Sequence, residues 1–435
     1  MPVSVPTADE FNALAQRVTA LEQSTPISGV SPDGTKLTSS SGTIMDDQQD
    51  QWRITSGRTI EWMRHGTGAW TAAGFSQNVA VIEKWKGTCY QSNTAGGWWS
   101  ATKATSGITW SAAPGDPSAA PPNPTPTGKF KVYGGQILDA AGNPWIGTGI
   151  NVAATNQGWF KGLADCVHDA NCNPLLSSFP KTKIVRIPCY DVNVQPSTIQ
   201  QQVKWLTDKG IVCSIEQHST GFNTPSGGQL DSFANWYHTM ASAFNGNPWV
   251  WFETVNECIP DSGFETMMET IINAIRSGNP DCIIQCMMFG STVNNGYVNN
   301  GQFWLAQHNL VMNIHGYANP TNSPPYGYTG NTQDGANQYI QGLVSEMQKR
   351  TTGDGVPPVI NGEFGDSTDG KNRDGNWQVI VTAGMNFNGI PGLKGSTAWF
   401  WNGQDSGVAD RLMNSPWDGS GGLTDYGTFM RNLMV

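Results

Sequence analysis

The feature that most constrains the fold is a series of eight apolar, β-branched segments in the second part of the chain. Stretches of helical pattern separate them, and in order they are WIGTGIN (145–151), KIVRIP (183–188), IVCSIEQH (211–218), WVWFETVNE (249–257), CIIQCMMF (282–289), LVMNIH (310–315), PPVINGEF (357–364) and STAWFWN (396–402). Eight strands with helix-length connections in about 300 residues predict a (β/α)8 TIM barrel. A doubly wound open sheet is the alternative, but no G-x-G-x-x-G turn follows the first strand.

The region before the barrel divides into three further parts. Residues 1–27 predict a short amphipathic helix, because Thr7 and Glu10 form a capping box and Phe11, Leu14, Val18 and Leu21 follow heptad spacing. Residues 114–127, with six prolines in 14 residues, predict a semi-rigid linker to the barrel domain at 128–435. The helix is too short to be stable alone, so we expect it either to assist homo-oligomer formation or to dock onto its own chain.

Residues 28–113 consist of short β-rich segments broken by Gly, Ser, Asn and Asp, which is typical of a small all-β module. This module holds seven of the 18 tryptophans: Trp52, Trp62, Trp70, Trp85, Trp98, Trp99 and Trp110. Aromatic faces suit stacking on sugar rings, but a small β domain also needs aromatic side chains to build its core. Carbohydrate binding and a purely structural role both stay open.

The charge balance bears on the partners of the chain. Lys and Arg total 24 against 34 Asp and Glu, giving a net charge of −10 with no basic cluster. Nucleic-acid binders need clustered cations, so we expect no nucleic-acid partner. No run of 18 apolar residues is present, and we expect no membrane partner. A weakly charged, Trp-rich chain favours a neutral, hydroxylated ligand, namely a polysaccharide.

Polar or aromatic residues stand where the predicted strands end. The carboxyl ends of barrel strands converge on one pocket, so we expect these side chains to meet there. They are Arg186, His218, Asn256, Glu257, His315, Tyr317, Glu363 and Trp399. Glycoside hydrolysis needs two carboxyl groups, one as proton donor and one as nucleophile or base, and Glu257 with Glu363 supplies such a pair. We expect a separation near the roughly 5–5.5 Å of retaining enzymes. Glu216 and Glu253 are weaker candidates for the acid.

Five segments, VRIP, FETVNE, NIHGY, INGEFG and AWFWN, resemble in order and spacing the cellulase-like glycoside hydrolase family 5 of clan A. The resemblance covers 128–435 and implies a retaining, endo-acting hydrolase of a β-linked polysaccharide, by default a β-1,4-glucan, with no metal or cofactor. It implies that Glu257 is the general acid/base and Glu363 the nucleophile. The chain departs from the family in having Cys258, not proline, after the Asn-Glu pair, and IEQHST at the end of strand three.

The remaining strand-end residues take supporting roles under this interpretation. Arg186 would keep Glu363 ionised, and Asn256 would bind the sugar 2-hydroxyl. Tyr317 would orient Glu363, and Trp399 would form a platform under the sugar. His218 and His315 would hold the sugar and the carboxylates in place. A raised pKa for Glu257 would come from partial burial and neighbouring negative charge.

The compartment and the substrate have alternatives. The first residues, MPVSVPTADEF, show no secretion signal. The short heptad segment within 1–27 resembles those that open phage tail proteins, so we expect an extracellular or virion-associated protein. A phage exopolysaccharide depolymerase or a mannanase on the same scaffold is the second candidate, and a non-catalytic polysaccharide-binding protein is the third. No G-x-S-x-G elbow is present for a serine esterase. A local disulfide between Cys166 and Cys172 is plausible.

Overall fold

The computed structural model describes residues 30–32, 34–85, 87–104, 107–113, 128–157, 161–219, 223–258, 261–287, 302–317, 332–367, 375–401, 411–414 and 421–435. The predicted helix within 1–27 and the proline-rich segment 114–127 lie outside these residues. Contacts divide the chain into two compact units, Met1–Pro122 and Asn123–Val435.

The described part of the first unit is all β, in agreement with the sequence pattern for 28–113. Its strands are β1 (Thr35–Leu37), β2 (Ile44–Met45), β3 (Gln51–Ile54), β4 (Ile60–Met63), β5 (Thr71–Ala72), β6 (Val79–Trp85), β7 (Thr88–Asn93), β8 (Trp98–Ala104) and β9 (Gly107–Ala113). They form a five-stranded sheet in the order β1-β6-β7-β8-β9 and a four-stranded sheet in the order β2-β3-β4-β5. The core includes Trp52 and Trp62, and the Trp52 indole donates to the Asp46 carboxylate at 2.7 Å. Part of the tryptophan content therefore serves packing.

The second unit contains the predicted barrel. Its parallel strands are β12 (Gly147–Asn151), β13 (Ile184–Cys189), β14 (Val212–Gln217), β15 (Val250–Glu253), β16 (Ile284–Met287), β17 (Leu310–His315), β18 (Val359–Glu363) and β19 (Leu393–Ala398). They close in sequence order, with β12 pairing β19 through Gly147 and Gly395. Gly149 is required by packing, because a Cβ there would lie 1.6 Å from the Ile184 carbonyl oxygen. The (β/α)8 prediction is confirmed.

Helices cover the outside of the barrel. They are α1 (Leu163–Cys166), α2 (Asn173–Ser178), α3 (Pro196–Thr207), α4 (Gly227–Ala243), α5 (Phe264–Gly278), α6 (Gln302–Leu305), α7 (Gln333–Met347), α8 (Trp377–Gly384) and α9 (Asp425–Leu433). Their apolar stripes face the strands, as the buried Met267, Ile271 and Ile275 of α5 illustrate. None of the described helices is long and apolar enough to cross a membrane.

A hairpin closes the amino-terminal end of the barrel. It pairs β10 (Lys131–Tyr133) with β11 (Gln136–Leu138) and turns at Gly134 and Gly135, both with positive φ. Phe130 packs edge-on against Trp145, Trp249 and Trp251 below the strands. Because apolar side chains fill this end, polar side chains inside the barrel are left to the opposite, carboxyl end.

The cysteines do not form the local bridge that the sequence made plausible. Cys166 and Cys172 are both buried free thiols, as are the other six cysteines. Both belong to the large core cluster around the barrel. Burial raises the pKa of each of these two thiols, which favours the neutral packed form.

Candidate active site

The eight candidate residues lie at or beyond the middle of their strands, toward the carboxyl ends. His315 and Glu363 are the last residues of β17 and β18. His218, Tyr317 and Trp399 follow the ends of β14, β17 and β19, and Arg186 lies within β13. The fourth predicted strand is shorter than expected, because β15 ends at Glu253. Asn256 and Glu257 therefore stand in the turn after it, and Glu257 has a left-handed φ of 44°.

Two carboxyl groups meet at the centre of this end. Glu257, His315 and Glu363 each present one side-chain N or O atom, and these three atoms lie within 4.8 Å of one another. The Nδ1 atom of His315 is 2.6 Å from Oε1 of Glu257 and 3.5 Å from Oε2 of Glu363. The side chain of Glu257 is 13% exposed and that of Glu363 is 6% exposed. Both carboxyls are thus largely buried, with a small part of each side chain exposed.

Arg186 is the cation of the site and is almost completely buried. Its Nη1 donates to Oε1 of Glu363 and, at 2.9 Å, to Oδ1 of Asn151. Its Nη2 donates to Oδ1 of Asn256 at 2.8 Å. The pKa of Arg186 stays well above its ordinary value: burial alone would lower it, but Glu253, Glu216 and Glu363 raise it more. The guanidinium is therefore always charged.

A second set of contacts joins His218 to the same network. Its Nδ1 lies 2.6 Å from Oε1 of Glu216, and its Nε2 lies 3.3 Å from the Asn256 amide nitrogen. The Tyr317 hydroxyl donates to Oε2 of Glu363 at 3.2 Å. The rings of His218 and Trp399 are nearly parallel, at 12° and 5.5 Å between centroids. Trp399 thus lies over the pocket with a fixed orientation.

Burial sets the protonation of the groups in this pocket. It raises the pKa of Glu257, against the opposing effects of His218 and Arg186. The neighbouring negative charge that we expected to contribute is not among the causes at Glu257. Burial also raises the pKa of Glu363, although His315 and Arg186 oppose it. The same desolvation lowers the pKa of His315 to about 3 and that of His218 to about 4, so both imidazoles are neutral near pH 7.

Three residues of the network make contacts that the sequence analysis did not predict. Asn151, the last residue of β12, fixes Arg186, and Glu253 binds it through two hydrogen bonds. Glu216 lies under His218, and burial raises its pKa to about 8. The strand period could have identified Glu216, since it stands two residues before His218 and shares its face. Glu253 and Glu216, the weaker acid candidates, are fully buried against Arg186.

A cation could be held by the trio of Glu257, His315 and Glu363, whose donor atoms lie within 4.8 Å. The Arg186 guanidinium already contacts Glu363, however, and a second positive charge there would be repelled. These donors therefore fit proton chemistry better than cation binding.

Comparison with known proteins gives a consistent result. The sequence model of cellulase, glycosyl hydrolase family 5, matches residues 140–405. No curated protein sequence matches the chain. Among solved structures, the catalytic domain of a Thermobifida fusca endoglucanase in complex with cellotetraose is 21% identical, with a TM-score of 0.51, over 71% of this chain and 97% of that one. The catalytic domain of the major endoglucanase of Xanthomonas campestris pv. campestris is 15% identical, with a TM-score of 0.53, over 70% and 99%.

At such identities the structural likeness speaks for the fold alone, a barrel that both endoglucanase domains share over nearly their whole length. The match of residues 140–405 spans more than half of the 435 residues. This chain therefore belongs to glycosyl hydrolase family 5, the cellulase family, and is a glycoside hydrolase.

Proposed function

We propose that the chain is a retaining, endo-acting hydrolase of a β-linked polysaccharide that works by double displacement with Glu257 and Glu363. The observation that carries this proposal is the approach of the two carboxyl groups, whose nearest oxygens lie within 4.8 Å. Retaining enzymes separate their carboxyls by about 5–5.5 Å, whereas inverting enzymes need about 6.5–9.5 Å to admit a water molecule. The short approach supports direct attack by a carboxylate on the sugar.

The contacts of Arg186 support the assignment of roles within the pair. Two buried carboxyls this close do not ionise together readily, because like charges repel. Glu363 contacts the guanidinium and accepts from Tyr317, and both contacts favour its charged form. Glu257 has neither contact and is paired with a neutral His315. Glu363 is therefore the group that loses its proton first and serves as the nucleophile.

The reaction then has two steps. In the first, a Glu363 carboxylate oxygen bonds to the anomeric carbon while Glu257 gives its proton to the departing glycosidic oxygen. In the second, Glu257 takes a proton from water, and that water displaces Glu363 from the anomeric carbon. The neutral imidazole of His315 can donate to a charged Glu257 or accept from a protonated one, so it suits both states. The net reaction adds one water molecule across the glycosidic bond.

Other side chains bear on how the sugar is held. The Asn256 oxygen accepts from Arg186, and the amide nitrogen lies 3.3 Å from Nε2 of His218. We assign this fixed amide to the sugar 2-hydroxyl. Trp399 supplies an aromatic face for the sugar at the point of cleavage. We propose β-1,4-glucan as the substrate, since the family match is to cellulases and one solved relative holds cellotetraose.

The decisive experiment compares Glu363→Ala with Glu257→Ala on an activated aryl glycoside, with azide added as an external nucleophile. Glu363→Ala should lose turnover, and azide should restore it with a product of inverted configuration. Glu257→Ala should still form the glycosyl-enzyme, because an activated phenol leaves without a proton, and azide should give the retained product. The exposed Glu269→Gln on α5 is a matched control that should keep wild-type turnover. Wild-type turnover in Glu363→Ala would refute the proposal.

Product analysis addresses the substrate. A panel of soluble β-glucan, β-mannan and bacterial exopolysaccharide should be digested, with the early products separated by size. Endo action should lower viscosity before short sugars accumulate, whereas immediate release of mono- or disaccharides would contradict it. Cleavage of mannan or exopolysaccharide in preference to glucan would replace the β-1,4-glucan assignment. The extracellular or virion-associated location and the oligomer formed through the amino-terminal segment stay predictions.

A further inference from the structure

The β module contains a groove that the barrel chemistry does not use. The groove has a volume of about 560 Å³. Its lining consists of aromatic, amide, hydroxyl and aliphatic side chains, namely Phe75, Ser76, Gln77, Asn78, Gln91, Asn93, Trp99, Ile108, Thr109 and Trp110. No residue in its lining carries a charge. Its volume falls in the range of about 300–1,000 Å³ that is typical of small-ligand sites.

The strand register explains how the floor of this groove forms. Gln91 on β7 lies directly opposite Trp99 on β8, so both side chains project from the same face of the five-stranded sheet. Trp110 on β9 pairs with Ala101, two residues after Trp99, and therefore shares that face. On the same face Gln91 also pairs with Ile82, which is fully buried. The groove is thus the uncovered continuation of the face that elsewhere forms the core of the module.

Two tryptophan rings at the groove are fixed in place, and a phenylalanine ring beside them is exposed. One of the two, Trp110, also packs edge-on against the core residue Trp52, with 6.1 Å between ring centroids. Phe75 is 83% exposed, the largest exposure among the large apolar side chains of the described residues. The Trp99 ring lies so close over Gly97 that a Cβ there would be 2.6 Å from it. The indole of Trp110 donates to the Ala73 carbonyl at 2.6 Å, which fixes that ring as well. Rigid, partly exposed rings provide contact area at little entropic cost.

The strongest observation is the state of Gln91. The residue as a whole is only 5% exposed, and its side-chain amide makes no hydrogen bond to another described residue. Neither Nε2 nor Oε1 is itself sealed from solvent, so both stay open to a ligand in the groove. The hydrogen-bonding capacity of this amide is therefore not used within the module and is available to a ligand. An amide offers two donors and one acceptor oxygen, and this one faces a groove whose rim adds the exposed amides of Gln77 and Asn78.

These features point to one class of ligand. Absence of charge in the lining disfavours phosphorylated or anionic ligands, which require cations. Aromatic faces beside paired donors and acceptors match sugar rings, which are apolar on their faces and carry hydroxyls at their edges. We propose that this groove binds a neutral polysaccharide chain, as a site separate from the barrel pocket. The inference does not depend on the catalytic roles of Glu257 and Glu363.

The test uses the full chain carrying Glu363→Gln, so that hydrolysis does not consume the ligand. Calorimetric titration with cellohexaose and with mannohexaose should reveal a binding event in which one oligosaccharide molecule per chain binds at the groove. Adding Phe75→Ala or Trp99→Ala should raise the dissociation constant of this binding event about tenfold or more. Phe75 is mostly exposed, so its truncation leaves the core intact. A binding event that is lost on substitution of Trp399, and not of Phe75 or Trp99, belongs to the barrel pocket. The two sites are thus distinguishable.

Gln91→Leu gives the sharpest comparison. Loss of the amide should weaken oligosaccharide binding about tenfold while the melting temperature stays equal, because the amide makes no hydrogen bond to another described residue. The matched control is Trp98→Ala, which removes the neighbouring ring on the opposite face of β8, close to Lys36, and should leave binding unchanged. The proposal is overturned if neither oligosaccharide shows a binding event sensitive to Phe75→Ala and Gln91→Leu, or if Gln91→Leu lowers stability without affecting binding.

Discussion

Arg186 and Glu253 form a buried ion pair with two parallel hydrogen bonds, Nε to Oε2 at 2.8 Å and Nη2 to Oε1 at 2.7 Å. Both side chains are essentially without exposure. The pair lies between β13 and β15, so it links two strands that are not neighbours in the barrel. It fixes the plane of the guanidinium and thereby directs Nη1 at Glu363. Glu253, which is too deeply buried to contact a sugar, thus influences the ionisation of Glu363 through Arg186.

Glu253→Gln tests this relationship. The substitution keeps the shape but removes one charge, so the Arg186 charge acts more fully on Glu363 and favours its ionised form. We expect the acid limb of the kcat/KM profile to move to lower pH, and kcat to fall as the guanidinium loses its alignment. Unfolding free energy should drop by about 1–3 kcal/mol, since a charged hydrogen-bond pair is weakened.

A matched control for that variant is Glu265→Gln, which weakens the contact of Glu265 with Arg350 at 3.2 Å on the outer side of the barrel. It should lower stability without moving the pH profile. An acid limb that moves equally in both variants, or in neither, would show that Glu253 does not act on Glu363 through Arg186.

The pH profile of the native enzyme follows from the buried carboxyl groups. Turnover requires Glu363 to be ionised, so activity rises as pH increases through its pKa, and burial raises that pKa. Turnover also requires a protonated Glu257, so activity falls as pH increases through its pKa, which burial likewise raises. We expect a bell-shaped kcat/KM whose two limbs both lie above the ordinary glutamate pKa of 4.5.

The histidines should not contribute a limb to that profile. The pKa values of His315 and His218, about 3 and about 4, keep both rings neutral over the working range. Profiles measured above about pH 5, where both rings are already neutral, should therefore show no inflection that vanishes in His218→Asn. Such an inflection near 6.5 would mean that the ring is less desolvated than the geometry implies.

The sequence predicted the barrel and the strand ends because both depend on local pattern. Eight apolar segments with the right spacing have few alternatives, and barrel topology brings their carboxyl ends together. Boundaries were less accurate: the fourth strand ends at Glu253, although apolar pattern extended it to Glu257. The positive φ of Glu257 has no sequence signature, since this conformation is rare for glutamate.

Long-range partners explain most of what the sequence could not give. The bonds of Arg186 to Asn151 and Glu253 join residues 35 and 67 positions apart, and no local periodicity encodes them. The entry hairpin illustrates a different difficulty, because two turns follow each other. The strands β10 and β11 turn at Gly134 and Gly135, and the Ala-Gly-Asn segment at 141–143 makes a second turn, closed by an antiparallel bridge between Leu138 and Pro144. Asp139 caps that second turn by accepting from the backbone of Asn143, so both segments had turn chemistry.

Tyr317→Phe tests the orientation of the nucleophile. The hydroxyl donates to Oε2 of Glu363 at 3.2 Å and thus stabilises the charged carboxylate. Its removal should raise the pKa of Glu363, move the acid limb to higher pH and lower kcat about tenfold, with a smaller change in KM. Tyr133→Phe, in the hairpin at the other end of the barrel, is the control and should leave the profile unchanged. If the acid limb of Tyr317→Phe is not shifted, the Tyr317 hydroxyl does not stabilise the charged form of Glu363.

Trp399→Ala tests the aromatic platform. Its ring lies 5.5 Å from that of His218 and nearly parallel to it, so the imidazole stacks on the Trp399 ring and fixes its orientation. Loss of the ring should raise KM and lower kcat/KM by about tenfold to a hundredfold, because stacking is lost in both the bound and the transition state. Trp399→Phe should recover part of the loss, since it keeps a smaller face. If Trp399→Ala instead lowers kcat with KM unchanged, the ring acts by positioning His218 and not by binding the sugar.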